Sequence, residues 1–211
     1  MNQKLFTLVT VTALVALSGC YESRLASVNG LVDIRVETYD AEPLPGEGVC
    51  EVFTANDPAE SRTHLEVCSP LEYETTPASS GDHFGVWADF QEYESPVPQG
   101  FLVHSMEHGG VVLYYNCPDE CPELVEALRS IKERFGPDDG CESVPDVLNR
   151  IIIAPNPDLD VPFAITAWER VYRATCLHEP SINEFMERHY GQGPEDLCGG
   201  GFDGEDRGWC N

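Results

Sequence analysis

Nine cysteines punctuate the 211-residue chain, and their placement constrains the fold more than any other feature. Cys20 closes the segment "MNQKLFTLVTVTALVALSGC"; Cys50, Cys68, Cys117, Cys121, Cys141, Cys176, Cys198 and Cys210 follow. An even set of eight in an exported chain argues for disulfides made in an oxidising compartment. The fold must then bring distant half-cystines together, and sequence alone leaves on the order of a hundred pairings open. Short closed loops favour Cys198 with Cys210, Cys50 with Cys68 and Cys117 with Cys121. Cys141 with Cys176 uses up the remainder.

The case for export rests on the first twenty residues. Lys4 supplies a positive start, and the apolar stretch from Leu5 to Ser18 is too short for a comfortable membrane span. "LSGC" resembles the bacterial lipobox. The expected organisation is a lipoprotein signal peptide over residues 1–19, with Cys20 the lipidation site at the mature N-terminus. A lipidated tether ending in a first strand would occupy 20–49. Acyl chains on Cys20 would hold the protein to a membrane without spanning it. Tyr21, rather than an Asp, follows the cysteine, which directs the expectation to the bacterial outer membrane.

Thirty-seven acidic residues against 12 basic ones give a net charge of −25. Such a surface repels phosphate backbones and anionic lipid headgroups, so nucleic acid is excluded as a partner. A hydrophobic share of 42% places the remainder among globular chains rather than disordered ones.

Periodicity gives the elements. "LVDIRVETY" (31–39) alternates like a strand, and residues 50–100 read as loops and short strands on the surface. "VVLYY" (111–115), "RIIIAP" (150–155) and "FAITAW" (163–168) are continuous apolar runs, the pattern of buried strands. "PELVEALRSIKERF" (122–135) sets Leu124, Leu128, Ile131 and Phe135 at helical spacing behind a proline. "SINEFMERHYG" (181–191) is a second helix, capped by Ser181 and ended by Gly191. The order predicts a single small α/β domain over 50–196, a β-α-β-β-α sandwich compatible with a thioredoxin-like fold. It would carry an irregular, disulfide-bearing N-terminal half. Residues 197–211 form an acidic, glycine-rich tail expected to be closed by its own disulfide; the spaced ligand series of a calcium loop is absent from it.

"HSMEH" (104–108) is the densest chemical cluster. It matches H-x-x-E-H, an inverted zinc-peptidase signature. That chemistry needs a long helix, and Gly109 and Gly110 follow at once, which argues against it. A metal site without hydrolysis is the better reading. In an extended segment His104, Met106 and His108 share a face; in a helical turn His104 and His108 do, and Met106 points away. Imidazole and thioether together suit copper. His83 and His64 are further candidate ligands, and Glu107 would orient an imidazole by hydrogen bond. The competing reading makes this an envelope interaction protein whose histidines only fix a turn.

"PASSGDHFGVWADFQEYESPVP", "GFLVHSMEHGGVVLYY", "IIIAPNPDLDVPFAITAW" and "INEFMERHYGQGPED" together resemble a bacterial family of unassigned activity, domain of unknown function 3105. The resemblance runs over residues 62–195 and groups His83, His104, Glu107, His108, Gly109 and Trp168. Asp82 stands where that family has proline. The resemblance implies no reaction. A second, local similarity lies in "YYNCPDECPELVEAL", a strand, C-x-x-x-C-P and a helix, as in Sco-type copper chaperones. It implies a reactive Cys117 beside Cys121 and, as an alternative function, thiol–disulfide oxidoreduction.

Overall fold

A computed structural model describes residues 30–117, 121–205 and 208–210. The leader, Cys20 and the tether up to residue 29 lie outside the described residues. The elements are β1 (Val32–Tyr39), β2 (Cys50–Asn56), β3 (His64–Leu65), β4 (His83–Phe84), α1 (Gln99–Glu107), β5 (Val111–Tyr115), α2 (Pro122–Phe135), β6 (Ile151–Pro155), β7 (Phe163–Ala167), β8 (Arg170–Ala174) and α3 (Glu179–His189).

Six strands form one mixed sheet in the order β1-β2-β8-β7-β5-β6, and β3 pairs β4 in a separate two-stranded ladder. β5 and β6 run parallel through the α2 crossover, as their apolar runs predict. β7 pairs antiparallel with β5 rather than with β6, which precedes it in sequence. β8, "RVYRA", continues the sheet from β7 and adds a strand to the expected order. The architecture is thus a small mixed α/β domain whose core is mainly sheet.

Alternating side chains of β5 feed two cores, one on each face of the sheet. Val111 and Leu113 pack with Leu124, Leu128 and Ile131 of α2 and with Ile182, Phe185 and Met186 of α3. Val112 and Tyr114 face Phe101, Leu102 and Met106 of α1, together with Phe84, Phe90 and Tyr93. Residues 50–100 are therefore not a surface wrapping: they supply the seven-residue β2 and much of the second core.

The disulfides are Cys50–Cys176, Cys68–Cys210, Cys117–Cys121 and Cys141–Cys198. Only the 117–121 pairing agrees with the loop-closure argument. The pairings 50–68, 198–210 and 141–176 are corrected, because β2 lies beside β8 and so sets Cys50 against Cys176. The tail is accordingly not closed on itself. It is pinned to Cys141 and Cys68, and Gly201 packs so closely on Ala88 that a Cβ there would meet its carbonyl carbon at 2.7 Å. Among the described residues no helix is long and apolar enough to cross a membrane.

Candidate metal centre

The two histidines of "HSMEH" sit at the end of a helix that the sequence does not announce. α1 follows Pro98 without a side-chain cap, and Gly100 through Glu107 are all buried. Gly100 lets it close on β4, since a Cβ there would lie 2.7 Å from the Phe84 ring. On a helix His104, Glu107 and His108 fall on one face at spacings of three and four. Met106 lies about 200° round from His104. Its side chain is fully buried in the apolar core, so it does not join the imidazoles.

The other half of the site comes from β3 and β4, whose register sets His64 beside His83. Main-chain hydrogen bonds from His83 to Thr63 (3.1 Å) and from Gly85 to Leu65 (3.1 Å) hold the two strands together. The His64 Nε2 lies 3.0 Å, and the His83 Nε2 2.9 Å, from the same Glu107 Oε2. The His64 ring stacks on that of His104 with centroids 4.6 Å apart. Ligand-type atoms of His64, His83, His104 and Glu107 all lie within 4.8 Å of one another. His83, His104 and Glu107 are 0%, 3% and 3% exposed. The His64 side chain, at 47%, forms the open rim.

Hydrogen-bonding partners fix the protons. The His83 Nδ1–H donates to the Gly81 carbonyl at 2.8 Å, and the His104 Nδ1–H donates to the Phe84 carbonyl at 2.6 Å. A carbonyl oxygen can only accept, so both Nδ1 atoms carry hydrogen, and in its neutral form each ring turns an Nε2 lone pair inward. This is the arrangement in which backbone carbonyls orient metal-ligating imidazoles. Burial, reinforced by the neighbouring imidazoles, holds His104 down to about 4, and burial also holds His108 below its ordinary value. For Glu107 burial acts upward, yet the His64 and His83 contacts keep its carboxyl below the usual range.

His108 stands one step outside the group of four. Its Nε2 lies 3.1 Å from the His104 Nε2 and 3.2 Å from Glu195 Oε2. Trp87 flanks both rings, with centroids 4.4 Å from His108 and 5.3 Å from His104. Trp168 meets His83 edge-on at 6.0 Å. Arg150, itself buried, donates to the His108 carbonyl (2.8 Å), to Asp196 (2.6 Å) and to Asp138 (2.8 Å). Glu107, expected to orient an imidazole, contacts two of them, and its carboxylate also lies within the group of four that could hold an ion.

The match between the chain and known proteins covers this whole site. A family model described as "Protein of unknown function (DUF3105)" fits residues 64–199, more than half of the chain, and includes every residue of the group. The chain belongs to the DUF3105 family. No curated protein and no solved structure matches it. In this DUF3105 protein Cys117 and Cys121 do not approach the imidazoles. β5 starts beside the end of α1 and carries the chain roughly 16 Å away. Both half-cystines pack against the α2/α3 core, on the opposite face of the sheet from α1. Trp87 and Glu195 escape a reading of the sequence, since nothing in "GVW" or "GPED" marks a ligand shell. The only local sign is the pair of glycines, Gly191 and Gly193, before Glu195.

Proposed function

We propose that this DUF3105 protein is a cell-envelope lipoprotein that binds a divalent transition metal, copper(II) first, through His64, His83, His104 and Glu107. One observation carries the reading. The Nε2 of His83 faces the Glu107 carboxylate at 2.9 Å while its Nδ1–H is already committed to Gly81. In the neutral ring that contact sets lone pair against lone pair, and only a proton or a cation between them makes it favourable. Two donors on one ion, with bonds of about 2.0–2.1 Å at roughly right angles, sit about 2.9 Å apart. The spacing suits an ion.

Three imidazoles and a carboxylate are an N/O donor set, and the eight described half-cystines are all in disulfides. Without sulfur the set favours Cu(II) or Zn(II) over Cu(I), and copper(II) heads the affinity order among divalent ions. Met106, placed in the core, no longer argues for a thioether site. No reaction is assigned.

The test uses purified mature protein. Copper(II) should bind at about one per chain, with nitrogen hyperfine structure from imidazole in its electron paramagnetic resonance. A hundredfold excess over Kd should stabilise the fold by about 2.7 kcal/mol. For a domain of this size that raises Tm by roughly 5–10 °C. His64→Ala, at the open rim, should weaken binding without affecting the fold, and His83→Ala with His104→Ala should abolish it. A wild-type protein that takes up neither copper nor zinc would leave the histidines as a hydrogen-bonded clasp between α1 and β3/β4.

The lipoprotein half of the proposal is supported by "LSGC" at the end of the leader. Cys20→Ser should abolish acylation and release the protein from the membrane fraction; retention of a labelled acyl chain by that variant would overturn it.

A further inference from the structure

The segment from Gly191 to Asp196 lies flush against the end of α1. Its main chain is tied down twice, by Gly191 N–H to the Gly109 carbonyl at 2.9 Å and by Glu195 N–H to the Glu107 carbonyl at 3.0 Å. Gly193 is pressed so close that a Cβ would meet the Gly109 nitrogen at 2.5 Å and the Met106 carbonyl at 2.7 Å. Asp196 is held by Arg150 at 2.6 Å, and Cys198 is bonded to Cys141. None of these ties uses the Glu195 side chain, which is 51% exposed and lies 3.2 Å from the buried His108 Nε2.

His108 has a particular difficulty. The His104 Nε2 carries a lone pair, because its Nδ1–H belongs to Phe84. The 3.1 Å contact between the two Nε2 atoms therefore takes its hydrogen from His108. The remaining nitrogen of His108, Nδ1, is buried with no hydrogen-bond partner. Once a metal occupies the His104 Nε2, the His108 N–H loses that acceptor; the Trp87 ring beside it offers none, and the Glu195 Oε2 lies 3.2 Å away.

We propose that Glu195 is a positioning residue of the metal site, the acceptor that takes over the His108 N–H when metal occupies His104. This rests on the metal reading above. A buried N–H left without an acceptor opposes whatever strands it. Glu195 removes that opposition, and it does so from a main chain fixed independently of its own side chain.

The experiment compares copper(II) affinity, by competition with a chelator, in the full mature protein and in E195A and E195Q. E195A removes the acceptor and should bind copper roughly 10–100-fold more weakly, the scale set by one buried donor left without an acceptor. E195Q keeps a carbonyl acceptor at the same reach and should recover most of the wild-type affinity. All three should show the same nitrogen hyperfine pattern, because the ligands are unchanged. Equal weakening in E195A and E195Q would make Glu195 a ligand or a bare charge and overturn the proposal, as would undiminished affinity in E195A. A wild-type protein that binds no metal defeats the metal reading itself, and this inference with it.

Discussion

At the scale of single residues, what a histidine does here is decided by the atom opposite its Nδ1. His83 and His104 each spend that nitrogen on a carbonyl from Gly81 or Phe84, and neither partner is visible from the spacing of "HSMEH". The residue types at 64, 83, 104 and 107 are legible as metal chemistry; which nitrogen is offered is not. Met106 misleads for the opposite reason, since its thioether suits copper chemically while the helix turns it into the core. Protonation follows from the same burial. The folded His104 takes up a proton only at about 4, held down by burial first and by the imidazoles beside it. His189 on α3 is likewise held down to about 4, by burial and then by Arg170 and Arg188. Unfolded, both rings protonate at about 6.5. Between those values the unfolded state binds more protons, so acid favours it and stability rises with pH. Metal-free protein is expected to lose stability as the pH falls from about 6.5 toward 4, with the contribution fully present above that window. Urea midpoints near pH 7 and near pH 5 check this; equal midpoints would contradict it.

At the scale of elements, legibility tracks exposure. α2 announces itself because one stripe is buried, at Leu124, Leu128 and Ile131, while the opposite face is wet. β5 and β6 announce themselves as unbroken apolar runs covered on both faces. α1, which carries half the candidate site, has neither signal. Every residue from Gly100 to Glu107 is buried, so no polar face alternates with an apolar one, and its start has no side-chain cap. A helix buried all round has no period to read. β3 and β4 are two residues each, far below the length at which alternation means anything, yet their pairing is what sets His64 beside His83. The candidate site is thus assembled from the least legible elements of the chain.

At the scale of the whole molecule, the disulfides show why local arguments fail. Closing a short loop is entropically cheaper, which favours Cys50 with Cys68 and Cys198 with Cys210. Sheet pairing overrides that preference, since the β2/β8 register sets Cys50 against Cys176 whatever their distance along the chain. The four bonds also differ in what they hold. Cys141–Cys198 ends the segment that presents Glu195, whereas Cys50–Cys176 staples β2 to the end of β8. With sequence separations of 57 and 126, both bonds have large loop-entropy contributions. These are at most about 4 and about 5 kcal/mol. Replacing either pair by serine should therefore lower Tm to a similar degree. Their effects on the metal should part. Removing Cys141 and Cys198 frees the chain just beyond Glu195 and should speed copper loss to a chelator several-fold. Removing Cys50 and Cys176 should leave that rate unchanged at temperatures where both variants remain folded. Equal dissociation rates in the two variants would show that the bond to Cys198 contributes stability alone, and that the main-chain ties to Gly109 and Glu107 suffice to hold Glu195 in place.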